Sequence, residues 1–146
     1  MAEWRPMRPR TLFLAAFVAA ALLVPVASAL ALTSFQSPTG NIGCIGDATS
    51  VRCDIRTTSA TPPKRPKSCQ FDWGSAFEVD RTGRGHGLCA GDTALAVPGD
   101  GRKKLAYGKS IKLGKKLTCT SRTTGMTCKN TQGHGFTLSK TVIRLF

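Results

Sequence analysis

Two segments of the chain alternate apolar and polar residues, and each carries two cysteines with eight residues between them. A period of two is typical of β-strands that bury one face. In the first segment, the polar turn 47–50 brings Cys44 opposite Cys53. That register places Ile42 and Ile55 on the same face as the two sulfurs. We therefore predict a β-hairpin closed by a disulfide.

The second segment repeats this design nearer the C-terminus. A turn at 122–125 brings Cys119 opposite Cys128. A three-residue loop at 114–116 adds an earlier strand with its apolar residues on the same face. Further short apolar runs follow, so this part of the chain predicts a meander of about five strands.

The rest of the chain also favours short strands over helices. The connector 61–66 contains three prolines, which lack the N–H that a sheet interior needs. Trp73 is expected to lie in the core. The predicted fold class is all-β: a small disulfide-stapled antiparallel sheet, or a partly open barrel or sandwich of β-hairpins. The predicted strands are 35–36, 41–45, 51–56, 76–79, the stretch around 88–89, 111–113, 117–121, 126–130, 134–138 and 142–146.

The N-terminal region has the layout of a secretory signal peptide. Three arginines precede an apolar run at 12–26, and small residues follow. Cleavage is expected after Ala29 or Ala31, and the second site divides the chain into a signal-peptide helix at 1–31 and one secreted β domain at 32–146. The alternative is an uncleaved anchor, because the run is just long enough to span a bilayer.

The charge of the chain is unevenly distributed. The 146 residues have a net charge of +13, and the secreted domain keeps +11 of it. Residues 32–101 hold seven basic and seven acidic side chains, whereas residues 102–146 hold eleven basic side chains and no acidic one. The domain therefore has a neutral half and a basic half.

Six cysteines in an exported chain predict three disulfides. The two hairpin registers favour Cys44–Cys53 and Cys119–Cys128, which leaves Cys69 for Cys89. Other pairings stay open, since six cysteines allow 15. The spacing lacks the C-x2-C pairs of structural zinc sites, so we expect neither a metal site nor another cofactor.

Five segments of the chain resemble a family of small exported actinobacterial proteins that is classed as a domain of unknown function. They occur in order over nearly all of the secreted domain. The resemblance implies an exported, disulfide-bonded β domain, and it implies no activity and no catalytic residues. The segments are 35–44 (FQSPTGNIGC), 51–55 (VRCDI), 72–74 (DWG), 89–93 (CAGDT) and 133–139 (GHGFTLS).

Two histidines and several carboxylates are candidates for catalysis. His86 and His134 are each flanked by glycines, and two imidazoles near one phosphate would support ribonuclease-like chemistry with a lysine. Glu78 and Asp80 share one face of a strand, and a carboxylate pair could serve a glycosidase. Asp72 and Asp92 form a second such candidate pair beside Trp73. The other interpretation is that these groups are structural, as histidines at turns and acids paired with arginines.

The basic half gives the preferred function, which is a non-enzymatic one. Its lysines would attract phosphates, sulfates or uronates through charge alone. Outside the cell the expected partners are anionic wall polymers, lipid head groups or, without sequence specificity, nucleic acid. The alternatives are that the lysines only maintain solubility, that the domain is a basic ribonuclease or other hydrolase, or that it inhibits a protease through 61–66 or 81–87. The candidate binding residues are Lys103, Lys104, Lys109, Lys112, Lys115 and Lys116.

Overall fold

The computed structural model describes Met1 and residues 31–146, so the predicted signal-peptide helix lies outside the described residues. In residues 31–146 there is no helix of the length and apolarity that crossing a membrane takes. In this described part of the chain, eleven strands build two sheets, which confirms the all-β class. The strands are β1 Thr33–Gln36, β2 Ile42–Gly46, β3 Ser50–Ile55, β4 Ala76–Asp80, β5 His86–Gly87, β6 Lys103–Lys104, β7 Ser110–Leu113, β8 Leu117–Arg122, β9 Gly125–Asn130, β10 Gly135–Leu138 and β11 Ile143–Leu145.

The first sheet has the strand order β5-β4-β3-β2-β1-β6. Its centre is the predicted hairpin, in which Cys44 pairs with Cys53 and Ile42 with Ile55. Strands β1 to β5 pair in antiparallel fashion, and β6 pairs in parallel with β1. The parallel strand was not predicted, because two lysines alone carry no alternating pattern.

The second sheet is the predicted five-stranded meander, in the order β11-β10-β9-β8-β7. Leu113 pairs with Leu117 and Cys119 with Cys128, as the sequence register requires. Residue His134 stays just outside β10, where its backbone bonds to Asn130. The predicted strand 134–138 is therefore one residue too long at its start.

The core lies between the two sheets, so the architecture is a β-sandwich. Each sheet contributes the alternate residues of its inner face. The two hairpin disulfides face each other across this core, with 3.6 Å between Sγ of Cys53 and Sγ of Cys128. The largest fully buried side chains include Phe77, Phe136, Leu117, Met126, Leu138, Val51 and Val79.

The three disulfides are Cys44–Cys53, Cys69–Cys89 and Cys119–Cys128, the pairs expected from the hairpin registers. The second of them, Cys69–Cys89, lies outside the core, where it joins two connecting segments on the first-sheet side. Trp73 also lies outside the core, which corrects the prediction. Its indole N–H donates to the Pro63 carbonyl, 2.7 Å away, so the ring anchors the proline-rich connector to the surface.

A loop that follows Cys89 covers the outer face of the first sheet and leads to β6. It approaches bare backbone at Gly43, where a Cβ would lie 2.5 Å from the Ala94 carbonyl oxygen. Asp54 holds the loop in place, because its carboxylate accepts hydrogen bonds from the Thr93 hydroxyl at 3.0 Å and the Ala94 N–H at 2.9 Å. Arg52 donates two further bonds to the same carboxylate, at 2.7 and 2.8 Å.

Candidate functional site

The six candidate lysines are exposed and lie along one edge of the sandwich. Strands β6 and β7 are edge strands of different sheets. Only a short crossover joins them, since Leu105 still bonds to Gln36 of the first sheet and Gly108 already bonds to Ser121 of the second. Lys115 and Lys116 extend this edge at the β7–β8 turn.

The outer face of the second sheet continues the lysine edge. Its strand register aligns Lys112, Thr118 and Lys129 in one row across three strands. A second row contains Ser110, Thr120, Thr127, Thr137 and Arg144. Hydroxyl pairs fix this row, at 2.8 Å between the first two and 2.9 Å between the next two. We call the outward side chains of β7–β11 and the six candidate lysines the basic face.

The basic face contains no acidic side chain, because residues 102–146 have none. The outward positions of β7–β10 hold only Ser, Thr, Lys, Arg and Gly. They also hold no aromatic or large aliphatic side chain. The charge asymmetry of the sequence is therefore an asymmetry of the folded surface, with the acids on the side of the first sheet.

The two histidines take different environments. His86 pairs directly with Glu78 in the β4–β5 hairpin. The backbones beside the two histidines meet, since both Gly85 and Gly135 donate to the Phe146 carbonyl, at 3.2 and 2.7 Å. Nevertheless, His86 clusters with the carboxylates of Glu78 and Asp80, and in residues 31–146 His134 joins no such cluster.

Glu78, Asp80 and His86 each present one ligand atom, and these atoms lie within 4.8 Å of one another. Burial raises the pKa of Glu78, and the charge of Asp80 raises it further. A protonated Glu78 would reduce the repulsion between the two carboxylates. Two carboxylates and one imidazole are donors that a divalent cation accepts, but Asp80 and His86 are both solvent-exposed.

In the second candidate pair, the Asp92 carboxylate is bound by an arginine, whereas Asp72 contributes backbone hydrogen bonds. Asp92 accepts a hydrogen bond from Arg52 at 2.6 Å, and this bond lowers the pKa of the Asp92 carboxyl. Asp72 forms a backbone bridge with Ala90, which ties the two ends of the Cys69–Cys89 region together. Asp92 is thus committed to the arginine that also binds Asp54.

A cavity of about 250 Å³ opens at one end of the sandwich, and the sequence did not reveal it. Its walls come from the β1–β2, β8–β9 and β10–β11 turns and from Tyr107 of the crossover. Two of the segments that carry the family resemblance, 35–44 and 133–139, contribute to these walls. Most lining side chains carry hydroxyl groups, and the charged ones are Arg122 and Lys140.

The second sheet and this cavity both lie within a region that known sequences cover. Residues 15–146 match the sequence model of a family of unknown function, DUF6636. The chain belongs to this family. No curated protein and no solved structure matches the chain.

Membership of DUF6636 confirms the expected domain of unknown function. The matched range includes all eleven strands and the three disulfides. The basic face and the cavity of this DUF6636 member therefore have to be interpreted from their own chemistry.

Proposed function

We propose that this chain is an exported, non-enzymatic domain that binds anionic polymers of the cell wall through the basic face. One observation carries the proposal: the outer face of one sheet and its adjoining edge present cations and hydroxyls without an acidic side chain. A surface of one sign concentrates polyanions and releases their counterions on binding.

Export is supported by the cysteines and the N-terminus. The six cysteines form three disulfides and leave none free, which is the pattern of proteins in oxidising compartments. The basic and apolar N-terminal pattern fits a secretory signal, with cleavage after Ala29 or Ala31.

A wall polymer fits the basic face better than the other polyanions do. Binding of single-stranded nucleic acid uses several aromatic side chains on which successive bases stack. The outward positions of β7–β10 hold none, and Tyr107 is exposed only at the margin of the face. Insertion into a lipid interface uses exposed apolar residues, and these positions hold none either. Hydroxyl rows between lysines instead match a polymer that carries both hydroxyl and anionic groups.

Retention on immobilised anionic polysaccharide tests the proposal. The residue 32–146 domain should be retained at low salt and elute earlier once Lys112, Lys115 and Lys116 are changed to Gln. The matched control changes Lys64, Lys67 and Arg84 to Gln, which removes the same charge from exposed sites outside the basic face. Equal elution of the two triple variants would show that net charge, and not this face, causes retention. Stronger retention on vesicles or RNA than on polysaccharide would overturn the choice of partner.

A further inference from the structure

The cavity at the end of the sandwich has the chemistry of a sugar site. It holds about 250 Å³, less than the roughly 300–1,000 Å³ of pockets for drug-sized ligands, so it suits one small ring. Its floor is apolar, since Ile42 and Met126 are both buried. Tyr107 forms a wall and is 44% exposed, so part of this residue is accessible to a ligand.

Hydroxyl groups surround this apolar floor. Some of them are fixed by the fold, because the Ser139 hydroxyl accepts from two backbone N–H groups at 3.2 and 3.0 Å. Others are available, since Thr123 and Thr124 are exposed at the β8–β9 turn and make no side-chain hydrogen bond within residues 31–146. The cavity therefore offers free hydroxyls at its rim and positioned ones beside them.

The charged residues of the cavity are both cations. Arg122 and Lys140 line it, and within the described part of the chain neither forms a salt bridge. A guanidinium binds a carboxylate or phosphate through two parallel hydrogen bonds, whereas an ammonium adds a point charge. Arg122 also occupies an outward position at the end of β8, so the cavity opens directly onto the basic face.

We propose that this cavity binds one sugar unit that carries a phosphate or carboxylate group. The sugar ring packs on Tyr107, the threonine hydroxyls bond to its hydroxyl groups, and Arg122 and Lys140 hold the anionic group. This inference rests on the proposed function, because it names the unit of the polymer that the basic face attracts. The face supplies attraction without specificity, and the cavity supplies recognition.

Titration of the labelled residue 32–146 domain by NMR tests this site. The probes are glucose 1-phosphate and glucuronate, with glucose and inorganic phosphate as comparisons. Both charged sugars should shift the amides of 122–125 and 139–141 and bind at least tenfold more tightly than either comparison. Inorganic phosphate that binds as tightly as glucose 1-phosphate would overturn the sugar contact, and glucose that binds as tightly would overturn the role of the cations.

Variants separate the cavity from the basic face. Tyr107→Ala should weaken binding of glucose 1-phosphate at least tenfold, while Tyr107→Phe keeps the ring and the affinity. Arg122→Gln with Lys140→Gln should remove the preference for charged sugars. The triple variant of Lys112, Lys115 and Lys116 should keep sugar binding although it leaves the polysaccharide column early.

The two proposals can fail separately in these experiments. Retention of the domain on the column together with no binding of either charged sugar would overturn the cavity site and leave the polymer face standing. Binding of charged sugars that Tyr107→Ala does not weaken would place the sugar elsewhere and also overturn the site.

Discussion

Loss of Arg52 should destabilise the domain strongly, because this residue neutralises a buried carboxylate. The side chain of Asp54 is 4% exposed and that of Arg52 is 12% exposed. The two join through a pair of parallel hydrogen bonds of 2.7 and 2.8 Å. In Arg52→Met the carboxylate keeps only the bonds from Thr93 and Ala94. Breaking one side of a buried pair costs about 3–5 kcal/mol.

The expected loss in the free energy of unfolding is therefore about 3 kcal/mol, which corresponds to a fall of roughly 10–20 °C in Tm for a domain of this size. Urea unfolding followed by circular dichroism, without reductant, measures it. Asp92→Asn is the matched control. Asp92 is the other partner of Arg52, and the Asp92 side chain is 83% exposed. That change should cost less than about 1 kcal/mol.

The double variant Arg52→Met with Asp54→Asn decides the mechanism. The amide side chain introduced at position 54 would still accept the Ala94 N–H but carries no charge, so the double variant should be more stable than Arg52→Met alone. If the free-energy losses of Arg52→Met and Asp54→Asn simply add in the double variant, or if Arg52→Met costs no more than Asp92→Asn, the buried ion pair does not hold the loop.

Three further predictions concern other parts of the molecule. Burial and the charge of Asp80 raise the pKa of Glu78 above its ordinary value of 4.5, so the ionised carboxylate destabilises the folded state. Glu78→Gln should therefore raise Tm at pH 7 but not below pH 4.5, and a gain in Tm that persists below pH 4.5 would contradict the pKa shift. Under mild reductant, an alkylating reagent should label Cys69 and Cys89 first, because the other four cysteines are 0% exposed. Mass spectrometry identifies the labelled residues, and earlier labelling of Cys44 would contradict this order. In an RNA gel assay the domain and its His134→Ala variant should show equal, negligible cleavage, because His134 lies outside the Glu78–Asp80–His86 cluster. Cleavage by the unaltered domain that the variant loses would support the ribonuclease alternative.

The sequence predicts those parts of the fold in which local pattern and burial agree. Cys44 and Cys53 lie at paired positions on either side of a short turn, so the register and the disulfide follow from the period of two. The second sheet is predictable for the same reason. Trp73 shows the limit of such reasoning, because its size suggests the core while its indole N–H finds a partner on the proline-rich connector.

Strand β6 and the cavity depend on contacts between segments far apart in the chain, so local sequence patterns do not predict them. Strand β6 forms because Gln36 offers free edge groups: its carbonyl accepts from Leu105 at 2.8 Å, and its side chain donates to the Arg102 carbonyl at 3.0 Å. The cavity combines three turns and one crossover between residues 37 and 141, and although the turn at 122–125 is predictable by itself, the sequence does not show that these four segments meet. Charge composition points to the basic face but gives no indication of Tyr107 or of the space beside it.

The salt dependence of binding shows whether the lysines of the basic face contact the polymer. The dissociation constant for a soluble anionic polysaccharide is measured at several salt concentrations. Three proteins are compared: the unaltered residue 32–146 domain, the triple variant of the basic face and the triple control variant. Each cation in contact with the polymer adds about one unit to the slope of log affinity against log salt. We expect the slope to fall by about two to three only when Lys112, Lys115 and Lys116 are replaced. A slope that falls equally in the variant of Lys64, Lys67 and Arg84 would contradict it.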